Sequence, residues 1–176
     1  MSFYMAKSWF YRNIAEIKSA ARIIFGMIWL ADASLKLQPS FVQGFSNLIG
    51  SGAAGQPAFL AGWFAFWSSV TGINPVLFAY SMIIIEFALA FSLIFGLMRK
   101  ISYMGGFIFS LMIWSVPEGF GGPYGPSSTD IGTGIAYAIV FLMLMVINTI
   151  GGTSKYSIDG WLEKKFKWWH KFAEFS

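Results

Sequence analysis

From Pro75 to Met98 the chain is apolar and carries a single charge, Glu86, close to the middle of the run. A helix of that length reaches across a hydrocarbon core of about 30 Å. An ionised side chain at its centre costs roughly 2.5–3.5 kcal/mol even on lenient insertion scales, so Glu86 must face a bundle interior or a ligand path. Two readings are open: a protonated clamp hydrogen-bonded to a neighbouring helix, or a group that handles protons or ligand.

The rest of the chain extends the same constraint. Of 176 residues, 56% are hydrophobic and 11% charged, mean hydropathy is +0.62, and uncharged stretches recur. This pattern predicts an all-α, polytopic protein of the cell (plasma) membrane, residues 1–176 forming one membrane domain. A four-helix bundle is expected, with spans at 20–37, 75–98, 101–117 and 131–150, an outer segment 38–74 and cytoplasmic tails 1–19 and 152–176. Charge sets the orientation. With four crossings, Lys7, Arg12, Lys18 and Arg22, then Arg99 and Lys100, then Lys155, Lys164, Lys165, Lys167 and Lys171 share one side, leaving Lys36 opposite; both termini are therefore expected inside. A fifth crossing at 56–74 would breach that bias, so this stretch is expected to be an interfacial or re-entrant helix with Trp63, Phe64, Phe66 and Trp67 at headgroup depth.

Both tails have amphipathic, basic composition. Beyond Ile158, apolar Trp161, Leu162, Phe166, Trp169, Phe172 and Ala173 alternate with lysines, the pattern of a helix lying on an anionic leaflet. The basic balance is thus a membrane-surface signal and not a nucleic-acid one. Composition also excludes chemistry: without cysteine there is no thiolate, disulfide or iron–sulfur ligation, and the one histidine, His170, lies in the tail, so no haem, metal site or Ser-His triad is expected within the bundle.

What remains is a set of polar stripes. On the first span Arg22, Gly26, Trp29, Ala33 and Lys36 share a face, with Asp32 four residues before Lys36 in the order that suits an ion pair. Ser110, Trp114 and Glu118 align on the third, and Asp130, Gly134, Tyr137, Phe141 and Asn148 along the fourth. The second adds Ala88, Ser92 and Gly96, a small-residue seam for close helix approach. Structural readings stand beside functional ones: Asp32 with Lys36 as a neutralised pair, Arg22 as a snorkelling anchor, Asp130 with Thr129 as a helix cap.

The run Arg22 to Lys36, Glu86 followed by Gly96, and above all W-x3-E-G-F-G-G-P-Y-G-P-x2-T-D-I-G-x-G from Trp114 to Gly134 resemble the DoxX/DoxD family. Within it, the chain is similar to the DoxD subunits of thiosulfate:quinone oxidoreductase over residues 20–152. The resemblance implies oxidation of thiosulfate to tetrathionate on the outer face, quinone as electron acceptor, a second small DoxA-like membrane subunit, and a terminal oxidase as a further respiratory partner. On that reading Glu86, Lys36 and Asp32 are the catalytic candidates, and Arg22, Trp29, Trp114 and Tyr137 the quinone-binding ones. Glu118 and Asp130 are outer-site candidates. Lys36 is the outer cation for an anionic substrate, and it prevails over the carboxyls once an acidic exterior removes their charge. No residue offers an evident two-electron path from sulfur to quinone. The alternatives are a non-catalytic accessory subunit of a quinol oxidase or other respiratory complex, and a transporter built around Glu86.

Overall fold

The protein is all-α. The computed structural model describes residues 2–124, 130–150 and 154–175, with backbone alone for 2–8 and 10. Among the described residues there is no strand, and the α-helices are α1 (Ser2–Leu35), α2 (Pro39–Ala53), α3 (Ala61–Gly72), α4 (Pro75–Phe95), α5 (Arg99–Ser115), α6 (Thr133–Asn148), α7 (Ile158–Lys165) and α8 (His170–Ala173). Lys7 of the expected cation set and Gly125 to Thr129 of the Trp114–Gly134 motif lie outside what is described at side-chain level.

Local chemistry explains the boundaries. Asn74 opens α4 by accepting a hydrogen bond from the Leu77 amide, with Pro75 at the first helical position, and Gly96 closes it in the left-handed region at φ 62°. The expected first span and N-terminal tail are one helix, because nothing between Ser2 and Leu35 breaks it; its 34 residues extend about 51 Å. The outer segment holds two helices, α2 and α3, where the sequence suggested only the second. Of the described helices, only α4, with 21 residues and a hydropathy of 2.1, is long and apolar enough to cross a membrane; α6 is apolar but shorter.

Packing proceeds in pairs. α1 lies along α4, and α5 along α6. The first pair closes at Gly26, where a Cβ would stand 2.9 Å from the Ile94 amide nitrogen, and the second at Gly134, where it would stand 2.7 Å from the Ser110 carbonyl. α4 turns Ala79, Ile83, Glu86, Ala90 and Leu93 inward, three or four residues apart. Ala88 is exposed. The expected seam through Ala88, Ser92 and Gly96 is therefore not the contact, since the inward stripe runs through Glu86 and Gly96 already lies outside the helix. Between the two pairs, Phe25, Trp29, Tyr137 and Phe141 form an aromatic cluster, with Phe25 4.9 Å from Phe141 and Trp29 5.3 Å from Tyr137 between ring centres.

The C-terminal segment does not lie apart as one surface helix; it folds back and closes the end of the molecule where α4 passes into α5. Asp159 is fully buried and accepts from the Met98 and Arg99 amides at 2.8 and 2.9 Å, capping α5, and from Trp169 Nε1 at 2.8 Å. Its carboxylate also receives Arg99 Nε at 3.0 Å, while Arg99 Nη2 reaches Glu163 at 3.4 Å and Glu174. Asn148 donates to the other Glu174 oxygen at 3.0 Å. Burial pushes the Glu163 carboxyl up, reinforced by Glu174 and opposed by Arg99.

Two variants test this architecture. Gly134→Val forces α5 from α6 and is expected to cost about 1–3 kcal/mol, read as a lowered thermal midpoint in detergent. Asp159→Ala strands the buried Arg99 and removes the α5 cap; a loss of roughly 3–5 kcal/mol is expected, with the C-terminal segment becoming protease-sensitive before the bundle.

Candidate functional site

The polar cluster sits where the C-terminal end of α1 meets the middle of α4. Antiparallel packing that sets Gly26 against Ile94 brings Lys36 to Glu86, and Lys36 Nζ lies 2.9 Å from Glu86 Oε1 and 3.0 Å from Asp32 Oδ2. Glu86 has no exposed surface, Lys36 is 17% exposed and Asp32 36%. One cation thus serves two carboxylates. In the ionised state the trio keeps one net negative charge, and Lys36 is taken up on both sides, so an anion gains it only when a carboxyl gives it up.

Beneath the trio lies the aromatic floor. Tyr137, from α6, sets its ring 5.3 Å from Trp29 and 5.4 Å from Phe25. Trp29 is fully buried, with its ring against Tyr137 and 6.1 Å from Phe109. Three buried polar atoms of the interior, Glu86 Oε2, Trp29 Nε1 and Ser110 Oγ, have no hydrogen-bond partner among the described residues. Orphaned groups of this kind cost about 1–3 kcal/mol each and call for a ligand, an ion or water. On the neighbouring face of α4 an apolar cleft of ≈ 300 Å³ opens between α2, α3, α4 and α5, lined by Phe45, Ile49, Met82, Ile85, Phe109 and Met112 among others. Phe109 is the wall between this cleft and Trp29.

Other candidates from the sequence have structural work. Glu118 accepts from the Gly134 amide at 2.8 Å and so caps α6. Trp114 Nε1 donates to the Ile131 carbonyl at 2.8 Å, and Asp130 accepts from the Gly132 amide at 2.8 Å. Gln56 ties the turn to α2 by donating to the Gly119 carbonyl at 2.7 Å. The described part of the Trp114–Gly134 motif therefore builds the entry to α6, with Glu118 also contributing charge to the cluster; Thr129 lies outside the described residues.

Arg22 stands elsewhere. Fourteen positions before Lys36 on one helix, it lies about 21 Å away, donating to the Leu93 and Ile94 carbonyls at the end of α4 and to the Tyr156 carbonyl at 2.8 Å. It is a C-cap for α4 and does not share a site with Trp29 and Glu86. Glu86, Lys36, Asp32, Trp29 and Tyr137 do come together. Ser110, on the α5 stripe, is a buried hydroxyl whose carbonyl lies against Gly134 of α6. Among the described residues no group of three or more His, Asp or Glu is placed to hold a metal ion.

Comparison of the chain with family models, curated proteins and solved structures finds no match.

A thermodynamic cycle tests the cluster. Lys36→Met leaves Glu86 without its cation and Glu86→Gln leaves Lys36 with Asp32 alone. The double variant is expected to lose less than the sum by about 0.5–3 kcal/mol, measured by unfolding in mixed micelles; strict additivity would show that the two side chains are not coupled.

Proposed function

We propose that the chain is a four-crossing membrane domain of the DoxX/DoxD kind and the quinone-reducing subunit of a thiosulfate:quinone oxidoreductase. In this reading α1, α4, α5 and α6 cross the cell membrane, α2 and α3 cover the outer face, and both termini are inside. A second small DoxA-like subunit and a terminal oxidase are its partners. The observation that carries the reading is a buried acid sharing a lysine, above a Trp29–Tyr137 pair and orphaned buried polar atoms, beside a mainly apolar cleft. The Trp114–Gly134 resemblance supplies the reaction class.

The chemistry asks for little more. Joining two thiosulfate ions through a new sulfur–sulfur bond releases two electrons, and quinone takes up those electrons with two protons. Glu86 holds and delivers a proton at membrane depth, poised by Lys36, while Trp29 Nε1 and the Tyr137 hydroxyl are donors for a quinone carbonyl. Asp32 shares Lys36 with Glu86 and is the more exposed of the two acids, so it is the carboxylate with which an anionic substrate competes for the ammonium. Electrons pass from sulfur to quinone with both substrates held together, or through the partner subunit.

Purified protein, alone and with its partner, should reduce quinone in a thiosulfate-dependent way. Glu86→Gln, which keeps shape and loses the proton, is expected to lower kcat about 10²-fold or more. Lys36→Gln should raise KM for thiosulfate with a smaller effect on kcat. Unchanged turnover in Glu86→Gln removes the proton role.

A further inference from the structure

The C-terminal segment has two faces. Asp159, Glu163, Trp169 and Glu174 turn towards Arg99 and Asn148, as described above. On the other face Trp161 and Trp168 are 60% and 56% exposed, and Lys164, Lys165, Lys167 and Lys171 are exposed beside them. Lys165 lies over the Trp161 ring at 5.4 Å, so cation and indole present one surface. Between α7 and the turn Ser154–Ser157 lies a cleft of ≈ 550 Å³, lined by Ser154, Lys155, Tyr156, Ser157, Trp161 and Lys164, with Gly160 and Glu163 completing it.

The charge of this cleft is one-sided. Its single carboxylate, Glu163, is 14% exposed and reaches Arg99 at 3.4 Å, away from the opening. Lys155 pairs with Glu16 at a position open to solvent, 56% and 40% exposed, where such a pair holds weakly and yields to a stronger anion. Two lysines, nearby hydroxyls and an indole at the rim match a phosphodiester with glycerol and acyl chains beyond it, since tryptophan settles at the level of lipid headgroups. Clustered lysines favour lipids of net negative charge over those whose headgroup carries its own cation.

We propose that this cleft binds the headgroup of an anionic glycerophospholipid, with the phosphate between Lys155 and Lys164 and Trp161 setting the depth. The inference rests on the membrane part of the reading above and not on its redox chemistry. Because α7 carries Asp159 on its other face, an occupied cleft also holds the clamp on Arg99, so lipid charge at this leaflet is transmitted to the closure of the bundle.

The test uses the full chain in detergent with short-chain phosphatidylglycerol, short-chain phosphatidylcholine and inorganic phosphate, followed by native mass spectrometry and thermal unfolding. One phosphatidylglycerol should be retained per chain and raise the thermal midpoint, with phosphatidylcholine and phosphate far weaker. At about fivefold per cation, Lys155→Gln with Lys164→Gln should weaken phosphatidylglycerol about 25-fold, and Lys164→Gln alone about fivefold should the double variant not fold. Lys167→Gln, outside the cleft, should leave binding in place. Equal binding of phosphatidylcholine, equal binding of free phosphate, or undiminished phosphatidylglycerol affinity in the lysine variants overturns the proposal. Thiosulfate activity without lipid selectivity sinks this inference alone; lipid selectivity without that activity sinks only the redox reading.

Discussion

An ionised acid group with no exposed surface, set in a helix that has no other charge, needs a cation beside it, and the C-terminal end of α1 brings Lys36. The Lys36–Glu86 contact is a weak source of net stability, because withdrawing both charges from water offsets their attraction. Its larger effect is on register. A slip of one residue between α1 and α4 would part Lys36 from Glu86 and leave a buried charge uncompensated at a cost of about 3–5 kcal/mol, while also driving Ile94 into the space that only Gly26 leaves open. The same register sets Trp29 before Tyr137, and so determines which groups stand under the trio.

The end where α4 passes into α5 obeys the same rule with different residues. Arg22 and Arg99 are both fully buried, and each is held at the end of a helix: Arg22 by the last carbonyls of α4, Arg99 through Asp159, which also receives the first amides of α5, while Arg22 Nε and Arg99 Nη1 have no hydrogen-bond partner among the described residues. Gly96 makes this possible. A Cβ there would fall 2.5 Å from Ser157 and 2.8 Å from Arg22, so the α4–α5 turn, the arginine and the C-terminal segment share a volume that a side chain would take. Polar anchors thus stand at both ends of an apolar middle.

How much of this was legible depended on whether a residue's partner lies on its own helix. The face Arg22, Gly26, Trp29, Ala33 and Lys36 was read correctly from spacing, and four of the five are buried with Lys36 nearly so. The helices near the expected spans and the isolation of Glu86 followed from the same periodicity. Arg99 was legible only as a topological charge, because its partner Asp159 is sixty positions away and such pairing leaves no periodic trace. For the same reason the tail, whose apolar and basic residues alternate as on a surface helix, gave no sign that its acidic residues turn inward. α2 was not expected because Gly44, Gly50 and Gly52 are poor helix formers, while Pro39 at its first position provides the start.

The acidic residues of the Trp114–Gly134 motif show where spacing misleads about role. Glu118 and Asp130 share helical alignment with the candidate site, yet each accepts a backbone amide at the entry to α6, and Trp114 is held by a backbone carbonyl. A motif spent mainly on shaping a loop transfers an architecture more securely than a reaction. On the proposed reading the chemistry falls to what that architecture surrounds: Glu86, Lys36, Asp32 and Tyr137. Since Lys36 is held between two carboxylates, anion binding and proton delivery cannot be independent there. Protonating either acid frees the lysine, and an anion that takes the lysine makes the remaining carboxyl easier to protonate. On the proposed reading, a site built this way would couple the arrival of a negative substrate to the uptake of a proton, as oxidation of an anion by a quinone requires.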